Sequence, residues 1–548
     1  MKDFIITKVS VAVLFLFLCA LLSGIFLPIY SDEVMAKWSL GRFFLEDQEL
    51  ISFFPQCTST TGRAISAVFY PAGIVLSLIY SHLEPLGIRV SGIVCTIVWF
   101  SLIGWWCYQQ TRSVKTATHR LAGLVALSSL GITPYLWVMS RSEQVLTITL
   151  LLLCLFALFL KQTKSATKRN LGGIALTVTL SCFFYSHPKS LFFFPFVLLA
   201  TWLATGAYNK LVRFSFVLFV IVLCYQVYHD SSALAVCGDA PFVQKMLTSN
   251  TLLPNMLFSN PWDFFSAALN NLIMFPERFL LHLTYNANFQ SGWLPPIDVS
   301  DSVWLVSLNA GIAYLIGFFV LGSHLVCLLI YLAQLVLRKT TATSILAPLL
   351  VISNLFNVLF YNLQNFYAGT QFIPVSVVLV ALMLQSMRQI RPLAGVSASA
   401  YFILMACSTV SLIALFSLVT PSIIKHASSD LATIDGQPLS IPVLGATSHI
   451  ESIKTLGAKC GISDASTANL VVDHMTYFAY LSDRSPIHVL YVSELGYGGD
   501  LTGGKLLPFL KKLNSPGIIS RCEWIPNEFR AAQKSNDMGY CCVNINEM

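Results

Sequence analysis

The sequence predicts an α-helical polytopic membrane protein with about eleven transmembrane helices, juxtamembrane helices on the outer face, and a small C-terminal α/β domain outside the membrane. Three observations predict it. Charge is scarce: 33 Lys and Arg with 26 Asp and Glu make 11% of 548 residues, where a soluble domain carries roughly a quarter. Apolar residues are abundant, at 55% with a mean hydropathy of +0.70, and they gather into runs of about 20 that suit a hydrocarbon layer about 30 Å thick. Composition then shifts at Pro421, beyond which charges are denser. An ordinary soluble enzyme is excluded, and the chain divides into a membrane domain, 1–420, with outer loops 30–88 and 229–302, and a domain over 421–548.

Taken in order, the runs 9–29, 90–108, 121–139, 144–160, 171–186, 190–206, 212–228, 303–337, 344–362, 368–387 and 394–419 are the expected spans. Lys2 and Lys8 before the first run resemble the start of a signal peptide, but a run of about 20 residues exceeds the usual apolar core of one. A retained first span is therefore expected. A further run, 64–81, is equally apolar, and charge decides its place. Lys and Arg collect in cytoplasmic loops. The six short basic connections are Lys2 with Lys8, Arg112/Lys115/Arg120, Lys161/Lys164/Lys168/Arg169, Lys210/Arg213, Arg338/Lys339 and Arg388/Arg391. They share one side only if 64–81 does not cross. That assignment puts 15 Lys and Arg inside with one acidic residue, Asp3, and the other 25 acidic residues outside. It predicts a plasma (inner) membrane protein with a cytoplasmic N-terminus and an extracytoplasmic, periplasmic C-terminal domain. Segment 64–81 becomes an outer-face helix broken at Tyr70-Pro71. The net charge of +7 is then largely topology and does not point to nucleic acid.

Beyond 421, segments 468–472 and 487–492 read as strands, 476–481 as a helix between them and 496–500 as a loop. Of 14 cysteines, eight lie in spans and read as small buried apolar residues. Cys57, Cys237, Cys460, Cys522, Cys541 and Cys542 lie outside, where fifteen complete pairings are open. The adjacent Cys541 and Cys542 read as two structural half-cystines rather than a redox pair. No span has an acidic residue in its middle, which argues against proton or cation transport.

Three outer turns carry candidate chemistry. Ser31-Asp32-Glu33 follows the first span, and either residue before Glu33 could simply cap a helix. Ser140-Arg141-Ser142-Glu143 joins the third and fourth spans. It too reads as a cap, yet it sets a carboxylate and an anion-binding group at the depth of Asp32, usable for a metal or a phosphate. Ser186-His187-Pro188-Lys189 opens the sixth span, and a lysine at a helix N-terminus is electrostatically disfavoured unless an anion sits there. Arg63 and Arg89 flank the 64–81 segment as weaker candidates for the same anion. Glu277-Arg278 and His282, near 289–296, suggest a loop able to cover a site.

This layout resembles the GT-C superfamily of membrane glycosyltransferases, especially the protein O-mannosyltransferase and lipid A aminoarabinose transferase branch, over roughly residues 1–390. Ser31-Asp32-Glu33 is similar to the family's first-loop Asp-Glu motif, Tyr70-Pro71 and Gly87-Ile88-Arg89 to its juxtamembrane segment, and Arg141-Ser142-Glu143 to its second-loop Arg-x-Asp. His187-Pro188-Lys189 with Pro195, and 367–374, fall where such proteins carry Lys/Pro and Tyr/Pro elements. Glu143 stands where Asp is usual, and Arg63 is the candidate substitute for a juxtamembrane lysine. The resemblance implies transfer of a sugar from a polyprenyl-phosphate donor to a lipid, glycan or protein acceptor at the outer face, with inversion at the anomeric carbon. It implies Asp32 and Glu33 as catalytic, Arg141, Lys189, Arg63 and Arg89 as donor-phosphate ligands, and Asp32 with Glu143 as candidate holders of a divalent metal. His187, Arg278 and His282 would be loop contacts. Two other classes stay open: a transporter or flippase of lipid-linked sugars, and a membrane sensor or assembly protein with a ligand-binding tail.

Overall fold

The computed structural model describes residues 2–30, 33, 70–163, 165–235, 251–252, 256–284, 294, 302–362, 366–387 and 393–427, and then 440–441, 443–444, 446–462, 470–472, 476–480, 487–489, 504, 506–512 and 515–548. The membrane part is built of helices α1 (Lys2–Ser23), α2 (Tyr70–Thr111), α3 (Val114–Leu127), α4 (Thr133–Leu136), α5 (Ser142–Phe159), α6 (Ala166–Ser186), α7 (Phe194–Ala204), α8 (Lys210–Ala235), α9 (Met256–Ser259), α10 (Pro261–Leu283), α11 (Val303–Val336), α12 (Ala342–Phe360), α13 (Phe366–Met387) and α14 (Leu393–His426).

Among the described residues, eight helical segments are long and apolar enough to cross a membrane: Ile6–Phe26, Leu86–Thr111, Ser142–Gln162, Pro188–Ala207, Lys210–Ser232, Val303–Val336, Gly369–Ser386 and Tyr401–His426. This is a multi-pass membrane protein. The other three expected spans fall on different kinds of helix, so eleven crossings do not follow from length and composition alone. Run 121–139 is divided, because α3 ends at Leu127 and Gly131 takes a φ of +51° that L-residues rarely adopt. A Cβ at Gly131 would collide with the Leu283 carbonyl, which accepts from Ile132 N at 3.0 Å. The run 171–186 lies on α6, whose first turns hold Lys168 and Arg169, and 344–362 lies on the shorter apolar helix α12.

The expectation for 64–81 needs correction. Tyr70-Pro71 does not break a helix but opens one: Pro71 sits in the first turn of α2, where its missing N–H disrupts no helical bond. Residues 64–69 lie outside those described. With 42 residues, α2 is about 63 Å long, roughly twice the hydrocarbon thickness. Only Leu86–Thr111 has spanning character, so the preceding turns continue beyond the crossing rather than forming a separate span.

The two ends of the bundle differ chemically. At one end Ser10 meets His119 Nδ1 at 2.9 Å, Arg120 donates to Gln110 at 2.9 Å and Gln110 to Gln385 at 3.1 Å. The start of α1, the end of α2, the start of α3 and the end of α13 therefore gather there, together with Lys8, Arg112, Lys115 and Arg120. At the opposite end, strand β1 (Ile29–Tyr30) pairs antiparallel with β2 (Ser440–Ile441).

The C-terminal part carries α15 (Ala446–Lys459), α16 (Leu506–Lys512) and a five-stranded sheet of β3 (Leu470–Val472), β4 (Ile487–Val489), β5 (Gly517–Arg521), β6 (Lys534–Ser535) and β7 (Tyr540–Asn544). Strand order is β4-β3-β5-β7-β6, parallel across β4-β3-β5 and antiparallel at β7. The two strands read from the sequence are β3 and β4, and the helix between them is a 3-10 turn at Tyr477–Tyr480; the 496–500 loop lies outside the described residues. Cys460 is bonded to Cys542 and Cys522 to Cys541, so the adjacent cysteines serve two separate crosslinks. Cys57 and Cys237 lie outside the described residues, and the eight span cysteines are free thiols. The core of this part is not wholly its own. Ile29 and Ile88, from the membrane part, are buried in one cluster with Ile453, Leu456, Leu470, Val472 and Ile519.

Candidate active site

Two buried charge clusters lie at the end of the bundle that carries the C-terminal part. The first is built around Glu33, whose side chain is fully buried. Its carboxylate accepts from Arg89 Nη1 at 2.9 Å and Nη2 at 2.8 Å, and from the Ser140 amide at 2.8 Å. Arg89, equally buried, also donates to the carbonyls of Val138 at 3.2 Å and Pro28 at 2.7 Å. Such a bidentate fork pairs a guanidinium that would otherwise be very costly to bury, leaving only its Nε without a partner among the described residues. Around it α2 and the turn before α5 lie in close contact. Ser91 and Ser140 share a hydroxyl bond of 2.8 Å, and a Cβ at Gly92 would collide with the Val138 carbonyl. Glu33 and Arg89, read from the sequence as a catalytic carboxylate and an anion ligand, are thus engaged with each other.

The second cluster joins the other two turns. Helix α5 opens with Ser142 and Glu143, an arrangement that places negative charge at the favoured end of the helix dipole. Glu143 is 1% exposed. Its Oε1 accepts from Lys189 Nζ at 3.1 Å and Arg141 Nη2 at 3.2 Å, and its Oε2 from Arg141 Nε at 3.2 Å. His187 Nε2 stands 3.6 Å from Oε1. The His187 ring caps the 3-10 turn Pro188–Phe193, with Nδ1 accepting from the Lys189 amide at 3.1 Å. Burial pushes the imidazole down to about 3, with Glu143 opposing and Lys189 and Arg141 reinforcing the shift. The ring is therefore neutral near pH 7, and since Nδ1 is the acceptor, the proton sits on Nε2 and faces Glu143. Lys189, itself buried, also lies over the Tyr361 ring, 4.8 Å from its centroid, a cation–π arrangement.

A small pocket opens beside this cluster. Arg141, Glu143, Gln144 and Thr147 line one wall, Thr133, Leu136, Trp137 and Met139 a second, and Gly369, Thr370 and Pro374 a third. The stretch 367–374 noted in the sequence thus contributes directly. Sequence reasoning missed Tyr361 and Gln144. Gln144 ties the walls together, its amide donating to the carbonyls of Trp137 at 2.6 Å and Gly92 at 3.1 Å; its place one residue after the Arg-x-Glu motif was the available signal. Asp32 and Arg63 lie outside the described residues, as does the side chain of His282. Arg278 is half-buried on α10 and takes part in no ion pair among the described residues.

Asp32, expected with Glu143 to hold a divalent metal, lies outside the described residues. No group of three His, Cys, Asp or Glu side chains among them could hold an ion, and Glu143 already serves two cations within 3.2 Å. A divalent ion on those oxygens would meet strong like-charge repulsion.

No family model matches the chain, and no curated protein matches it by sequence. Solved structures do. It is similar to an oligosaccharyltransferase from Archaeoglobus fulgidus tethered to an acceptor peptide, at TM-score 0.46 and 8% identity, covering 93% of this chain and 69% of the other. The same archaeal enzyme in complex with Zn and sulfate aligns at TM-score 0.42 and 8% identity, over 92% and 68%. ArnT from Cupriavidus metallidurans bound to undecaprenyl phosphate aligns at TM-score 0.37 and 12% identity, over 98% of both chains. These likenesses, all at 12% identity or less, are likenesses of fold.

Proposed function

We propose that this chain is a membrane glycosyltransferase that moves a sugar from a polyprenyl-phosphate donor to a lipid, glycan or protein acceptor. The observation that carries the reading is the convergence of Arg141 and Lys189 on Glu143 beside a pocket at the face opposite the basic connections. A polyprenyl-phosphate donor joins a bilayer-soluble tail to an anionic head. Its site must therefore set buried cations at the end of apolar helices, and Arg141 and Lys189 meet that requirement. The opposed placement of the basic connections supports an extracytoplasmic site in the inner membrane.

In the reaction, Asp32 acts as general base. The acceptor O–H proton passes to the Asp32 carboxylate, and the acceptor oxygen bonds to the anomeric carbon. The bond from that carbon to the phosphate oxygen breaks, with inversion, and polyprenyl phosphate leaves. Lys189 and Arg141 stabilise the charge that develops on the departing phosphate, and Glu143 holds both cations in place while His187 donates toward it. Glu33, neutralised by Arg89 and bonded to the Ser140 amide, acts as a positioning residue and not as the base.

The test is to incubate the purified full chain with labelled polyprenyl-phosphate sugars and membrane extract, and to compare it with Asp32→Asn. Wild type should consume one donor class and label an acceptor; Asp32→Asn should fold normally and transfer nothing. Undiminished transfer by Asp32→Asn would sink the assignment of the base. Movement of donor across the bilayer without consumption would favour a flippase.

A further inference from the structure

Helix α10 has an unusual division of its surface. At about 100° per residue, Phe264, Ala268, Asn271, Phe275 and Phe279 form one face, and all five are buried. Trp262, Phe265, Leu269 and Ile273 form an adjacent sector and are 81%, 61%, 56% and 64% exposed. Asp263, Ser266, Asn270 and Glu277, exposed as well, make a third. A helix at an ordinary water-facing surface needs only a buried face and a polar face. The additional apolar sector requires a third environment.

The packing of α10 identifies it. Asn271 Nδ2 donates to the Leu359 carbonyl at 3.1 Å and to Asn362 Oδ1 at 2.8 Å, Leu252 N donates to the Phe360 carbonyl at 2.8 Å, and the Phe264 and Phe360 rings lie 5.5 Å apart. Helix α10 is therefore seated on the end of α12, at the bundle face that carries Lys189 and Tyr361. On α12 itself, the exposed Ile345, Ile352 and Phe356 follow a helical spacing along one side. That side of an apolar helix in a multi-pass protein faces acyl chains, and it runs up to the seat of α10.

We propose that α10 is an interfacial helix that inserts Trp262, Phe265, Leu269 and Ile273 into the boundary between lipid headgroups and acyl chains. The occupant of its second apolar sector is the bilayer surface. The buried face holds the helix on α12, the polar sector faces water, and the lipid-facing sector continues the apolar side of α12. Trp suits this boundary because its ring is apolar while its N–H remains polar. The helix thereby ties the level of the membrane surface to Tyr361 and so to Lys189.

The full chain in nanodiscs of phosphatidylcholine and phosphatidylglycerol provides the test. A nitroxide is placed at Leu269→Cys or at Asn270→Cys, with the unmutated chain correcting for native thiols. Accessibility to oxygen, which partitions into lipid, is compared with accessibility to a water-soluble nickel chelate. Oxygen should dominate at position 269 and the nickel chelate at position 270, so the ratio inverts between adjacent residues. A second measurement uses no cysteine: brominated lipids should quench a Trp emission component that Trp262→Phe lacks. Nickel-dominated relaxation at 269, protection of 269 from both relaxants by a covering protein, or no lipid quenching of Trp262 would each overturn the proposal.

Discussion

Removing either partner of the Glu33–Arg89 pair should destabilise the protein far more than removing both. Among the described residues the carboxylate accepts from the Arg89 fork and from the Ser140 amide, and both side chains are at most 1% exposed. In Glu33→Ala the guanidinium keeps the Pro28 and Val138 carbonyls but loses its counter-charge inside the fold. In Arg89→Ala the Ser140 amide remains as the described donor to a buried carboxylate. A buried ion left without its partner costs about 3–5 kcal/mol, whereas deleting both charges avoids most of that penalty. In a cycle of Glu33→Ala, Arg89→Ala and the double variant, the double should cost less than either single, so the non-additivity should reach at least about 3–5 kcal/mol. The assay is reversible unfolding of the detergent-solubilised chain in a sodium dodecyl sulfate titration, read by tryptophan emission. Additivity within about 0.5 kcal/mol, the behaviour of independent sites, would refute the argument that these groups matter to each other.

Three further outcomes are expected. Lys189→Met should lower transfer from a polyprenyl-phosphate donor by about 10²–10³-fold, with Lys189→Arg recovering part of it, in a labelled-sugar assay. The neutral His187 makes stability depend on pH. Its folded value of about 3 lies below the unfolded value of about 6.5, so the unfolded chain binds the extra proton between the two. Stability should fall as pH drops from 6.5 toward 3 and level off below, and His187→Asn should remove that component of a stability–pH profile. Reduction of the Cys460–Cys542 crosslink, which spans 82 residues, should cost the C-terminal part about 2–4 kcal/mol and speed its proteolysis.

Much of the site was legible because its parts lie in short turns. Arg141 and Glu143 are two residues apart, as are His187 and Lys189, and the sidedness of the basic connections put both turns at one face. What joins them was not legible: the ion pair from Lys189 to Glu143 spans 46 residues and that from Arg89 to Glu33 spans 56, and no local pattern encodes which opposite charges meet. The same holds for the disulfides, where spacing alone left every pairing open. Helix continuity misled at Tyr70-Pro71, because proline opens a helix as readily as it ends one. Run 121–139 misled in the opposite sense. Its hydropathy is uninterrupted, but Gly131 turns the backbone left-handed where Leu283 comes close, a constraint set by a residue far along the chain.

The two-residue pairing of Ile29–Tyr30 with Ser440–Ile441 has a consequence for biosynthesis. Its strands are separated by about 410 residues, so at roughly 5–20 residues per second the first waits on the order of 20–80 s for its mate to leave the ribosome. During that interval Ile29 and Ile88, later buried with Ile453 and Leu470, have no hydrophobic cover from the C-terminal part. The β1 strand just before Glu33 is thus fastened only after the helices of the bundle have been threaded. A truncated product would carry its spans and the two charged turns yet present uncovered isoleucines at the membrane surface, a signature by which cellular surveillance could tell an unfinished chain from a finished one.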